Sequence, residues 1–124
     1  MAKILVVDDS HVARMIIIHI LKGAQHTVLE ATDGRLAQAI LQTETDIDLL
    51  ITDIYMTEMD GPELTIWLRQ QPVLQNVPVI MMTASGEYES ELQEKTVLAD
   101  GVLTKPVSTW NLLTMINDLL GATE

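Results

Sequence analysis

Leu49-Leu50-Ile51-Thr52-Asp53-Ile54-Tyr55-Met56 is the stretch on which the reading of this chain turns. Three bulky aliphatic residues in a row suit a strand buried on both faces, as in a parallel sheet covered by helices. Such a strand delivers its last residue to the carboxyl edge of the sheet, where open α/β folds keep their ligands. Asp53 falls at that edge. An aspartate there is unremarkable alone, because helix caps and turns use the same residue. Its meaning depends on what the other strands bring to the same edge.

Working outward, Lys3-Ile4-Leu5-Val6-Val7 is a short aliphatic run ended by Asp8-Asp9 and reads as a first buried strand. Ser10 is an N-cap for a helix to about Lys22, stopped by Gly23. Thr27 to Ala31 reads as a second strand. Thr32-Asp33-Gly34 then turns into a helix carrying Leu36, Ala37, Ile40 and Leu41. After the Asp53 strand and the loop Thr57–Gly61, Pro62 fits the first turn of a third helix ending near Gln71-Pro72. Val77 to Met82 is a fourth strand ending at Thr83, and Glu87 to Leu98 a charged fourth helix. Gly101 to Thr104 is a fifth strand ending at Lys105-Pro106, and Ser108 caps a last helix through Trp110, Leu112, Leu113, Ile116 and Leu119. Strands alternating with helices imply an α/β fold, a parallel sheet with right-handed crossovers. With no repeat, linker or low-complexity tract, one domain fills residues 1–124.

The composition narrows the classes. A chain of 124 residues supports one sizeable core. Hydrophobic content of 48% supports a packed globule, and 20% charged residues with mean hydropathy of +0.22 do not suggest disorder. No apolar run approaches the roughly 20 residues of a membrane span, and Met1-Ala2-Lys3-Ile4 enters a strand without signal-peptide architecture. The absence of cysteine excludes disulfides and thiolate chemistry and is compatible with the cytoplasm. A net charge of −11 argues against direct binding to nucleic acid or an anionic membrane.

If the topology is right, Asp8, Asp9, Asp53, Thr83 and Lys105 all emerge at one sheet edge. Adjacent carboxylates with a third from a neighbouring strand repel one another, and a hard divalent cation relieves that repulsion. Mg²⁺ suits the site because it takes few protein carboxylates and keeps several waters. Lys105 offers a compact positive charge and Thr83 a hydroxyl donor. A carboxylate nucleophile beside Mg²⁺, a lysine and a hydroxyl is an arrangement for phosphoryl transfer through an acyl phosphate.

Val6-Val7-Asp8-Asp9-Ser10, Asp53-Ile54-Tyr55-Met56 with Met59-Asp60-Gly61, Met82-Thr83-Ala84 and Lys105-Pro106 resemble the response-regulator receiver domain of two-component signalling. The resemblance spans the chain in order. It implies a flavodoxin-like, doubly wound three-layer sandwich with strand order 2-1-3-4-5. It implies that Asp53 accepts a phosphoryl group from a sensor histidine kinase or histidine phosphotransfer protein. By position, Asp9 and Asp53 would ligate Mg²⁺ with the backbone carbonyl of Tyr55, and Asp8 would act mostly through water. Thr83 and Lys105 would contact the phosphoryl group. A cis peptide is expected at Lys105-Pro106. Such a domain is a signalling module that catalyses only its own phosphorylation and dephosphorylation.

The chain departs from the family pattern at three places. Val102 stands where many receivers carry an aromatic ring that reports the switch, and Tyr88 is a candidate substitute. Thr57 replaces a usual proline. Tyr55 and Ser85 occupy positions that influence phosphate lifetime in the family, and a bulky Tyr55 is expected to shield an acyl phosphate from water.

The first helix is unusually apolar. At 100° per residue, Ala13, Ile17, Ile20 and Leu21 share a core face, leaving Met15 and Ile18 pointing away. The resemblance implies that kinase helices dock on this helix and on the loop after the lysine, so Val12, Met15 and Ile18, with Val107 and Trp110, are expected to receive the phosphodonor. The resemblance also implies that an effector or a second copy binds the face of the fourth helix, fifth strand and last helix. His11, His19 and His26 lack metal-ligand spacing, and Trp67 reads as packing. The competing reading is a degenerate receiver used only as a protein-binding module. An aspartyl-phosphate phosphatase lacks its cap here, and a flavin carrier lacks its phosphate loop. The end at Glu124 is compatible with a stand-alone regulator or a receiver within a larger protein.

Overall fold

The aliphatic runs of the first, third and fourth predicted strands become strands buried on both faces between helices. The structure is a computed structural model and describes residues 1–84 and 93–121. The elements are β1 (Lys3–Val7), α1 (His11–Gly23), β2 (Thr27–Ala31), α2 (Gly34–Thr43), β3 (Leu49–Asp53), α3 (Gly61–Arg69), β4 (Val79–Thr83), β5 (Gly101–Thr104) and α4 (Thr109–Leu120). Residues 93–95 are also helical. Residues 85–92, with Ser85, Tyr88 and the start of the predicted fourth helix, lie outside the described residues. Residues 96–98 form a turn where that helix is expected to continue to Leu98.

The five strands form one parallel sheet in the order β2-β1-β3-β4-β5. Alternate residues feed two cores. Ile4, Val6, Leu49, Ile51, Ile80 and Met82 pack with Ile17 and Leu21 of α1 and with Leu112 and Ile116 of α4. Leu5, Val7, Leu50 and Met81 pack with Ala37 and Leu41 of α2 and with Leu64 and Leu68 of α3. This is the doubly wound, flavodoxin-like three-layer arrangement, and it explains why β3 shows no polar alternation.

Local chemistry fixes where each helix starts. Ser10 accepts from Ala13 N, Asp33 from Leu36 N and Ser108 from Asn111 N. Asp60 and Glu63 form a reciprocal capping box ahead of α3. Two further boundaries differ from the sequence expectation. β4 begins at Val79 rather than Val77 because Pro78 has no N–H to donate, although its carbonyl accepts from Leu50 N at 3.0 Å. α3 ends at Arg69 rather than near Gln71. There Gln70 N and Gln71 N fold back onto Trp67 O and Leu68 O, and the Arg69 guanidinium ties Gln75 O, Val77 O, Leu98 O and Asp100 together.

The buried stripe of α1 is Arg14, Ile17, Ile18 and Leu21. Ile18 is therefore core, only 7% exposed, and the expectation that it docks a partner is corrected. Met15 is half-buried against the same core, while Val12 and Ile16 face outward at 68% and 51% exposure.

Candidate phosphoryl-acceptor site at the carboxyl edge

The register levels the strand ends. Val7 pairs with Thr52 and Asp53 with Met82, so residues just beyond β1, β3 and β4 leave the sheet side by side. Asp8 follows β1 and is fully buried. Its amide donates to Ala31 O at 3.2 Å, and its Oδ1 accepts from Ser10 N at 2.9 Å. Asp9, next along, is exposed. Lys105 comes from the turn after β5, with a cis peptide to Pro106 as expected. Its ammonium lies 2.8 Å from Asp8 Oδ2 and 3.1 Å from Asp53 Oδ2.

Burial pushes the Asp53 carboxyl above its ordinary range; the Asp8 charge adds to this and the Lys105 charge opposes it. Burial works against the charge on Lys105, but its hydrogen bonds and its attraction to Asp8 and Asp53 prevail and raise its pKa. Carboxyl oxygens of Asp8, Asp9 and Asp53 lie within 4.8 Å of one another. Three carboxyl groups against one ammonium is an oxygen-rich, under-neutralised donor set. It fits a hard divalent cation that keeps part of its water shell, such as Mg²⁺.

The loop after β3 is drawn tightly under the site. Gly61 N donates to Ile54 O at 2.9 Å, and a Cβ on Gly61 would stand 2.3 Å from Asp53 O. Gly34, opening α2, donates to Met59 O at 3.0 Å. Glu58 takes a positive φ of 69° to make that turn. Tyr55 leaves the loop half-exposed, with Lys95 Nζ 5.3 Å from its ring centroid. Thr83 is buried at the end of β4, and its hydroxyl donates to Ala84 O at 3.2 Å rather than to Asp53.

Beside Lys105 an open groove of about 370 Å³ runs between α1 and the turn after β5, lined by Val12, Ala13, Ile16, Pro106 and Val107 among others. Trp110, on the first turn of α4, is 77% exposed and is not core. Sequence reasoning missed two residues here. Ile16 was overlooked as the outward-facing member of the apolar run. Arg14 was overlooked although it completes the i, i+3, i+4, i+7 stripe with Ile17, Ile18 and Leu21, and Glu30 on β2 offers it a counter-charge. That stripe was the available signal.

Residues 4–117 match the family model of the response regulator receiver domain. The chain belongs to the response-regulator receiver family. It is 35% identical over 120 residues to a chemotaxis protein CheY homolog of Campylobacter jejuni, covering 96% of this chain and 92% of that protein. Among solved structures, Vibrio cholerae chemotaxis response regulator CheY4 superposes with a TM-score of 0.87 at 34% identity, covering 97% of this chain and 99% of that one. The phosphate regulon transcriptional regulatory protein PhoB of Pseudomonas aeruginosa is 32% identical over 97% of this chain, which spans 52% of that protein. A receiver of this kind is a signalling domain of two-component systems, and such domains interact with histidine kinases or phosphotransfer proteins. Among the described residues, no helix is long and apolar enough to cross a membrane.

Proposed function

We propose that this receiver, occupying residues 1–124 as one domain, is a phosphorylatable switch whose acceptor is Asp53. The observation that carries the proposal is the Lys105 ammonium held between Asp53 and Asp8, with Asp9 completing the acidic cluster. An Asp53 oxygen forms a bond to phosphorus as the phosphorus–nitrogen bond of a donor phosphohistidine breaks, and the electron pair stays on the imidazole. Lys105 counters the charge on the transferring oxygens, and the Thr83 hydroxyl turns from Ala84 O to donate to one of them. Asp8, Asp9, Asp53 and the Tyr55 carbonyl are the groups that would hold Mg²⁺. When bound, the ion supplies further neutralisation of the phosphoryl oxygens.

The donor, a sensor histidine kinase or histidine phosphotransfer protein, docks in this reading on Val12, Met15, Ile16, Val107 and Trp110, beside Lys105. Phosphorylation shifts a pre-existing equilibrium and changes the face of β5, α4 and the 93–98 segment, where an effector or a second copy binds. The domain works in the cytoplasm and catalyses no reaction beyond its own phosphorylation and dephosphorylation. Mass spectrometry of the intact protein after incubation with Mg²⁺ and acetyl phosphate tests this. One phosphoryl adduct, absent in Asp53→Asn and after chelation, is expected. No adduct in a wild type that binds Mg²⁺ would instead leave a protein-binding module.

A further inference from the structure

We propose that Arg14 is a positioning residue for the acidic site, holding the peptide between Asp8 and Asp9 in the orientation that cation binding needs. The inference rests on the receiver reading above and concerns how its acids are aimed.

Arg14 is a charged residue on the buried stripe of α1, its side chain 9% exposed. Its Nη1 donates to Asp8 O at 2.7 Å and its Nε to Glu30 Oε1 at 2.8 Å, and Nη2 lies 3.4 Å from His11 Nδ1. The main chain of Asp8 is thus gripped from both sides, its amide by Ala31 O of β2 and its carbonyl by Arg14 of α1. The Asp8 carboxyl is fixed as well, by Ser10 N and Lys105. Asp9 has no such burial. Because the Asp8 carbonyl and the Asp9 amide share one rigid peptide plane, the direction in which Asp9 leaves β1 is set by what Asp8 O bonds to.

A guanidinium suits this task and an ammonium does not. The nitrogens of the planar Arg14 guanidinium reach groups just after β1, on β2 and on α1, whereas a lysine offers a single point charge. Groups that orient metal ligands without touching the ion typically change metal affinity by about 10–100-fold when removed.

The test uses the full chain with Arg14→Lys and Arg14→Met. Arg35→Met serves as a control, since Arg35 is exposed, carries the same charge and is not on the buried stripe of α1. Mg²⁺ affinity is measured by calorimetry without phosphodonor, the Asp9 amide resonance by NMR, and folding by thermal melting. Arg14→Lys should melt cooperatively, bind Mg²⁺ about tenfold or more weakly, and shift the Asp9 amide. Phosphorylation by acetyl phosphate should then require more Mg²⁺, with the maximal rate largely regained at saturation. Arg35→Met should match wild type. A folded Arg14→Lys with wild-type Mg²⁺ affinity and an unmoved Asp9 resonance would overturn the proposal. So would an equal loss in Arg35→Met, which would reduce the effect to net charge. If Arg14→Met does not fold, the lysine variant decides. A wild type that neither binds Mg²⁺ nor gains a phosphoryl group would overturn the receiver reading and this inference together. A wild type that does both, beside an unaffected Arg14→Lys, sinks only the latter.

Discussion

Lys105 holds its ammonium nitrogen 3.1 Å from Asp53 Oδ2, so the proposed acceptor is ion-paired before any phosphoryl group arrives. That pair does not fully offset burial, and the Asp53 pKa remains above its ordinary value of 3.8. A carboxyl raised in the folded state binds more protons there than in the unfolded chain. Its contribution to stability is therefore complete below about pH 3.8 and is lost as pH rises through the folded value. In metal-free buffer at neutral pH, Asp53→Asn should melt above wild type, and the gap should close toward pH 3. Adding Mg²⁺ should stabilise wild type far more than the variant. Melting curves across pH, with and without chelator, check both signs. A gap that persists at pH 3 would mean the variant acts through packing.

The short path from Gly61 to Asp53 gives a second prediction. Gly61→Ala places a methyl group 2.3 Å from a backbone oxygen and should destabilise by about 1–3 kcal/mol. Gly23→Ala meets nothing within 4 Å at the end of α1 and should stabilise by about 0.4–1 kcal/mol. Urea titrations of the two variants should move in opposite directions.

The sequence made the strands legible because a run buried on both faces carries its own signature. It also placed the four acids and bases of the edge, since strand ends of a parallel sheet share one side. The inward face of α1 was less legible for a physical reason. With Arg14 left out of account, the apolar residues centre the buried stripe on Ala13, Ile17, Ile20 and Leu21 and turn Ile18 outward. The real stripe includes Arg14, whose burial depends on Glu30 and on the Asp8 carbonyl, contacts made only once β1, β2 and α1 are assembled. The present bonding of Thr83 was likewise invisible, because a hydroxyl's partner is a matter of rotamer and not of sequence.

The corrected face of α1 separates folding from docking. Val12→Ser with Ile16→Ser should slow phosphoryl transfer from the donor protein about tenfold, the effect of losing roughly 1.4 kcal/mol at an interface. Melting and acetyl-phosphate labelling should be unchanged. Ile18→Ala should instead cost about 2–5 kcal/mol of stability, as for other buried isoleucines. Equal loss of protein-donor and small-molecule phosphorylation in the double variant would refute docking there.

Tyr55 and Lys95 bear on how long a phosphoryl group would last. A cation over an aromatic face contributes about 0.5–1 kcal/mol at an exposed site, enough to restrain the ring. Tyr55→Ala should shorten the acyl-phosphate half-life, and Lys95→Met should shorten it less. Decay followed by intact mass after donor removal gives both numbers, and an unchanged half-life in Tyr55→Ala would remove the shielding argument.

Asp53, Asp8, Asp9 and Lys105 lie at or just beyond the ends of strands joined in one ladder, whereas Val12, Ile16 and Trp110 face outward on helices. If those outer residues receive the donor as proposed, partner choice on the helices can drift without disturbing the reaction geometry at the strand ends. Exchanging only those outer helical residues with a relative's should readdress the domain to another donor, with the acceptor unaware of the change.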